Sequence, residues 1–254
     1  MATPLPLEEW LIRATLILLG SATVILFIGQ YTDLDLWLAG IYFDPASQTF
    51  PWNNTWFANN LMHTYMKDAI IVGGSLIVGT TLIDLLTPLK RLTVRGRTRL
   101  RIIALAAVLE PLLIITLKHS SNMHCPSEID LFGGHYPLLR LLDMVPDNWH
   151  AGRCFPAGHA STAMWLSALA VLWLPNNPRR AFLAFLAGIA AGFVLGWVQQ
   201  MRGAHFLTHT LWTVWLSSAL IVALIAAFAR QLKQPENEAS LRPAGDLQTS
   251  RRGY

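Results

Sequence analysis

Long apolar runs separated by short polar stretches organise this chain from end to end. A helix needs roughly 20 mostly apolar residues to cross the hydrocarbon core of a bilayer. Runs of that kind occupy residues 11–29, 69–86, 102–117, 160–174, 181–201 and 210–229. The pattern predicts an all-α, polytopic membrane protein with six transmembrane helices in one domain over residues 1–230. The third and fourth runs are short and each abuts a polar segment, so their ends are expected to finish in protein rather than in lipid. Past Gln231 the apolar periodicity stops, and Pro235, Glu236, Glu238, Pro243 and Gly245 mark residues 231–254 as a disordered cytoplasmic tail. Glu8 and Glu9 precede the first run where a cleavable signal would carry basic residues, so this run is read as a permanent helix.

Composition agrees with lipid as the solvent, since 53% of the 254 residues are hydrophobic and 13% are charged. The charges set an orientation, because loops rich in Lys and Arg stay in the cytoplasm. Lys90, Arg91, Arg95, Arg97, Arg99 and Arg101 lie in one predicted loop, Arg179 and Arg180 in another, and Arg230 and Lys233 open the tail. Asp33, Asp35, Asp44 and Asp68 precede the second run, and Glu128, Asp130, Asp143 and Asp147 lie between the third and fourth. Both termini are therefore expected in the cytoplasm, and all eight histidines and both cysteines on the opposite side. The net charge of +4 reflects this loop asymmetry and implies no nucleic-acid partner.

The expected outer segments hold Lys118, Arg140, Arg153, His159, Arg202, His205 and His209. Cations with convergent imidazoles suit an oxyanion that is held and then cleaved. Three short motifs give this cluster an order. Lys118 is followed after six residues by Cys125 and Pro126; Pro156-Ala157-Gly158-His159 opens the fourth run; and Gly203-Ala204-His205-Phe206 precedes the sixth, with His209 four residues after His205. The chain resembles the type 2 phosphatidic acid phosphatase family, six-span membrane enzymes related to haloperoxidases. The resemblance extends over residues 11–229, although its specific part is these three motifs.

The family pattern is Lys, six residues, Arg-Pro; then Pro-Ser-Gly-His; then Arg, five residues, His, three residues, Asp. This chain departs from it at Cys125, at Ala157, at Gln199 in the place of the last arginine, and at His209 in the place of the aspartate. A second register takes His209 as the nucleophile, with Arg202 seven residues before it and Thr213 at the acid position; the first register fits better. The resemblance implies that His205 attacks phosphorus to form a phosphohistidine and that His159 is the general acid. It further implies that Lys118, Arg202 and the backbone at Gly158 bind the phosphate. With no aspartate in the motif, His209 is expected to orient His205 as a neutral acceptor, with activity falling as pH drops through roughly 6 to 7. Asp130, Asp143 and Asp147 are other candidates for that role. The guanidinium missing at Cys125 is expected to come from Arg153 or Arg140.

No cofactor is expected. The partners are a lipid phosphate or diphosphate and the surrounding membrane lipids, with the site on the periplasmic face of a bacterial inner membrane. Two cysteines on an oxidising side read as a possible disulfide, Cys125 to Cys154, or as two free thiols. Two other functions remain open. One is a metal-dependent enzyme using the one-turn spacing of His205 and His209, and the other is a non-enzymatic lipid transporter or scaffold.

Overall fold

The computed structural model describes residues 7–234. Its elements are helical: α1 (Leu7–Tyr31), α2 (Leu34–Tyr42), a π-helical segment (Phe57–Met66) that runs on into α3 (Lys67–Leu86), and α4 (Val94–His119). They continue with α5 (Gly158–Met164), extended by a 3₁₀ segment (Trp165–Trp173), then α6 (Pro178–Met201), α7 (Leu207–Ala227) and α8 (Ala229–Lys233). Among the described residues, five helices are long and apolar enough to cross a membrane: Glu8–Tyr31, Phe57–Leu86, Val94–His119, Pro178–Met201 and Leu207–Ala227. Leu16 and Ile17 on α1 and Leu76 and Leu82 on α3 are exposed. Continuous apolar faces of this kind belong against lipid, and the chain reads as a multi-pass membrane protein.

The expected fourth span departs from a regular helix. It is divided between the seven residues of α5 and nine residues of 3₁₀ helix. Packing explains its apolar character: Ala160, Ala163, Met164, Trp165, Ala168 and Val171 are all buried within the bundle. A row of glycines on α6 lets this segment and α7 approach closely. A Cβ on Gly188 would stand 2.2 Å from the Ser167 backbone nitrogen, one on Gly192 would stand 2.6 Å from Met164, and one on Gly196 would stand 2.4 Å from Thr210.

At one end of the bundle, Thr93 caps α4 by accepting from the Gly96 N–H, and the buried Asp84 pairs with Arg97 at 3.1 Å. Helical structure continues past residue 231, in α8. Leu232 in α8 is fully buried in the main apolar core, and Lys233 pairs with Glu8 of α1 at 2.6 Å. The disordered segment expected from 231 is therefore corrected at its start, because one leucine there docks on the core. The remainder, 235–254, lies outside the described residues.

At the opposite end, the connection between α4 and α5 folds over the helices. His124 stacks on Tyr136 with ring centroids 3.8 Å apart, and its ring contacts Glu128 at 3.2 Å and the His150 carbonyl at 2.8 Å. Asp35 of α2 accepts from both the backbone N–H and the hydroxyl of Thr208, tying α2 to the first turn of α7. Burial of Asp35 pushes its pKa up, against the pull of the Thr208 hydrogen bonds and Arg140.

Candidate active site

Residues far apart in sequence converge where these helices end. Lys118 lies in the last turn of α4, Gly158 and His159 open α5, Arg202 caps α6, His205 precedes α7 and His209 sits in its first turn. The His159 and His205 ring centroids are 6.4 Å apart, and those of His205 and His209 are 5.9 Å apart. The Lys118 ammonium stands 4.0 Å from where a Cβ on Gly158 would be, so the absent side chain leaves the cation open to a group bound beside it.

His205 is 2% exposed. Burial above all, and then the charges at His209, Lys118 and His159, push its pKa well below the ordinary imidazole range. The same causes, burial first and then His63, Lys118, Lys67 and Arg202, bring His159 down to about 3. Both rings are therefore neutral in the resting protein. A neutral imidazole has a free lone pair, which is the form a nucleophile or base needs.

The Arg202 guanidinium is held at three points. Its Nε donates to Asn53 Oδ1 at 3.1 Å, its Nη1 to Gln199 Oε1 at 3.0 Å and its Nη2 to Asn59 Oδ1 at 3.3 Å. Arg202 thus folds back to hydrogen-bond with the glutamine that occupies the motif arginine's place.

Cys125 and Cys154 form a disulfide. The Cys154 sulfur lies 3.5 Å from His205 Nδ1. This bond joins the segment after Lys118 to the segment before His159 and sets its sulfur against a ring nitrogen of His205, where His209 was expected to stand. Replacing both cysteines with serine opens a loop of 29 residues and is expected to cost about 3–4 kcal/mol in the chain-entropy account. Thermal unfolding in detergent, with and without a dithiol, measures that loss. Turnover should fall under conditions where the helices are still formed, because the backing of His205 goes first.

Several expected roles meet a different geometry. His209 makes no hydrogen bond to His205, since neither of its buried ring nitrogens has a hydrogen-bond partner; it packs edge-on against Phe155 and Phe206 instead. Arg140 is not at the site. Its guanidinium donates to the carbonyls of Gln30 and Thr32 and pairs with Asp33 at 2.5 Å, pinning the loop to the end of α1. Arg153 is exposed, with a left-handed backbone at φ 53°, and is not among the cations that bear on His159 or His205. Asp143 is likewise engaged elsewhere, accepting from Gln30 at 2.8 Å.

The metal reading finds little support in the donor set. Among the described residues, Cys125, Cys154 and His205 bring ligand atoms within 4.8 Å of one another. A disulfide offers no thiolate to a metal ion. His124, a possible further ligand, is engaged with Glu128 and Tyr136.

Three groups at the site are absent from the motifs: Asn53, which precedes the π-helical segment, and two residues within that segment. Asn59 and His63 come from the π-helical segment, and the His63 ring lies 4.4 Å from that of His159. The sequence carried a signal for them: Asn59, His63 and Lys67 recur every four residues as a polar row just before an apolar run.

A family model described as the PAP2 superfamily matches residues 99–233, just over half of the chain and all three motifs. No curated protein and no solved structure matches.

Proposed function

The chain belongs to the PAP2 superfamily, and from that premise we propose that it is a membrane phosphatase acting on a lipid phosphate or diphosphate through a phosphohistidine. The observation that carries this reading is the meeting of Lys118 at the end of α4, His159 in α5, and Arg202 and His205 in the α6–α7 connection. Membership of the family supports phosphatase chemistry, and the arrangement supports a role for each residue. The neutral His205 attacks phosphorus. Lys118, Arg202 and the backbone at Gly158 take up the charge of the non-bridging oxygens. His159 protonates the departing oxygen and later accepts a proton from the water that hydrolyses the phosphohistidine.

A phosphate dianion placed among these groups favours the imidazolium of His159, because an opposite charge nearby offsets the burial that suppresses it. Substrate binding thereby loads the acid. The side chains supply the charge neutralisation themselves, and the reading uses no metal ion or cofactor.

A sixth crossing and a periplasmic site complete the proposal. A 3₁₀ helix rises about 2.0 Å per residue against 1.5 Å for an α-helix, so the sixteen residues from α5 through the 3₁₀ segment reach about 28 Å, close to a bilayer core. The arginine-rich stretch at 90–101 supports cytoplasmic termini, which puts His205 on the outer leaflet. The lipid tail then stays in the bilayer while the head group enters from the side.

The test is phosphate release by purified protein from phosphatidate, phosphatidylglycerol phosphate, undecaprenyl diphosphate and lipid A, in excess EDTA. Release from at least one is expected. Inhibition by chelator that zinc reverses would favour the metal reading, and inert protein would favour a head-group binder.

A further inference from the structure

We propose that His63 is a positioning residue that passes protons between solvent and His159, so that with substrate bound the two imidazoles share one added proton; this rests on the phosphatase reading above. Three observations lead to it. The His63 and His159 rings are in contact, with centroids 4.4 Å apart and planes tilted by 38°. The Nδ1 of His159 is buried and makes no hydrogen bond at rest, to His63 or to any other group, which leaves it free to take up a proton. The imidazoles form a row from the surface inward, in which His63 is partly exposed, His205 is 2% exposed and His209 is fully buried.

The charges around the pair permit one proton rather than two. Lys118 at the end of α4, Lys67 at the start of α3 and Arg202 at the end of α6 face it, opposed by Asp68; His205 stands on its inner side. Two adjacent imidazoliums among three cations would repel strongly, so a proton gained by one ring is lost by the other. The π-helical turn carrying His63 is the kind of irregularity that recurs where a helix supplies a functional group.

The proton balance closes over a cycle. Solvent protonates His63, whose ring turns from its tilted resting contact to bring an N–H onto Nδ1 of His159 and passes it a proton. His159 gives its Nε2 proton to the departing oxygen as the phosphorus–oxygen bond breaks and the bonding pair leaves on that oxygen. In the second half, water attacks the phosphohistidine and gives its proton to Nε2. The Nδ1 proton returns to solvent through His63, restoring both rings.

The experiment uses the full chain in detergent with two substrates. Phosphatidate has an alkoxide leaving group that needs a proton, whereas 4-nitrophenyl phosphate has one that departs readily without it. His63→Phe keeps a ring packed on His159 but removes both nitrogens, and His63→Ala leaves room for free imidazole. For both variants, kcat on phosphatidate is expected to fall about tenfold, below the range for loss of a general acid itself, with KM little changed. The ratio of alkyl to aryl turnover should fall with it, and millimolar imidazole should restore His63→Ala. Wild-type turnover of phosphatidate by His63→Phe would overturn the proposal, as would equal losses on both substrates without rescue. His205→Ala in the same assay separates the failures. If wild type is active and His205→Ala inert, such a result removes His63 alone; if wild type is inert, the phosphatase reading falls and this proposal falls with it.

Discussion

Alanine at position 205 is expected to lower phosphate release by at least about 10³-fold on every substrate the protein accepts, whatever its leaving group, since the nucleophile takes part in both halves of the reaction. The loss should appear in kcat, with substrate binding kept by Lys118 and Arg202. Protein labelled with phosphate and quenched in alkali should carry acid-labile phosphate in the wild type and none in His205→Ala. The pH dependence gives a second check. His205 is active when neutral, and burial together with the cations around it lowers its pKa well below the usual value. The neutral form therefore persists as pH falls, and the acid limb of kcat/KM should lie below the ordinary imidazole range. This reverses the expectation of a decline through 6 to 7, which assumed a weakly held imidazole oriented by His209. A midpoint between 6 and 7 in the rate on 4-nitrophenyl phosphate would count against the buried, cation-flanked nucleophile.

His159→Gln is expected to have the next largest effect, about 10²–10⁴-fold on an alkyl phosphate, the usual worth of a placed proton donor. Glutamine keeps the size and a hydrogen-bonding end but cannot transfer a proton, so the fold should survive. The effect must depend on the leaving group. An alkoxide is too basic to depart unprotonated, whereas 4-nitrophenolate leaves readily, and the variant should lose far less on the aryl ester. A plot of rate against leaving-group pKa should steepen in His159→Gln relative to wild type. Equal losses across the series would assign His159 to phosphate binding instead. With the resting pKa of His159 near 3, the proton must be taken up with substrate, and the rate at saturating phosphatidate should decline as pH rises.

The parts of this protein that depend on local pattern were legible in the chain. Four of the six apolar runs, 11–29, 69–86, 102–117 and 181–201, fall within helices α1, α3, α4 and α6, and a fifth, 210–229, follows α7 to within two residues of its end. The histidines at 159 and 205 stood out because small residues flank them at the mouth of an apolar run. The run at 160–174 was harder to read, because periodicity cannot distinguish a lipid-facing helix from a buried one that finishes as 3₁₀. The dock of Leu232 was invisible for a similar reason, since one apolar residue has no period.

Only the tertiary structure decided which charged groups stand beside His159 and His205. Arg140 and Arg202 look alike in the chain. One is pinned by carbonyls 108 and 110 residues away, and the other is aimed by asparagines 143 and 149 residues away. His63 gained its place from a ring 96 positions later, and His205 Nδ1 met a sulfur 51 residues earlier where the His209 ring was expected. A side chain's exposure to water and its spacing along a helix follow from its near neighbours, and a sequence records these directly. Which cation faces which imidazole depends on how separate helices pack, and that geometry is set by the whole bundle at once.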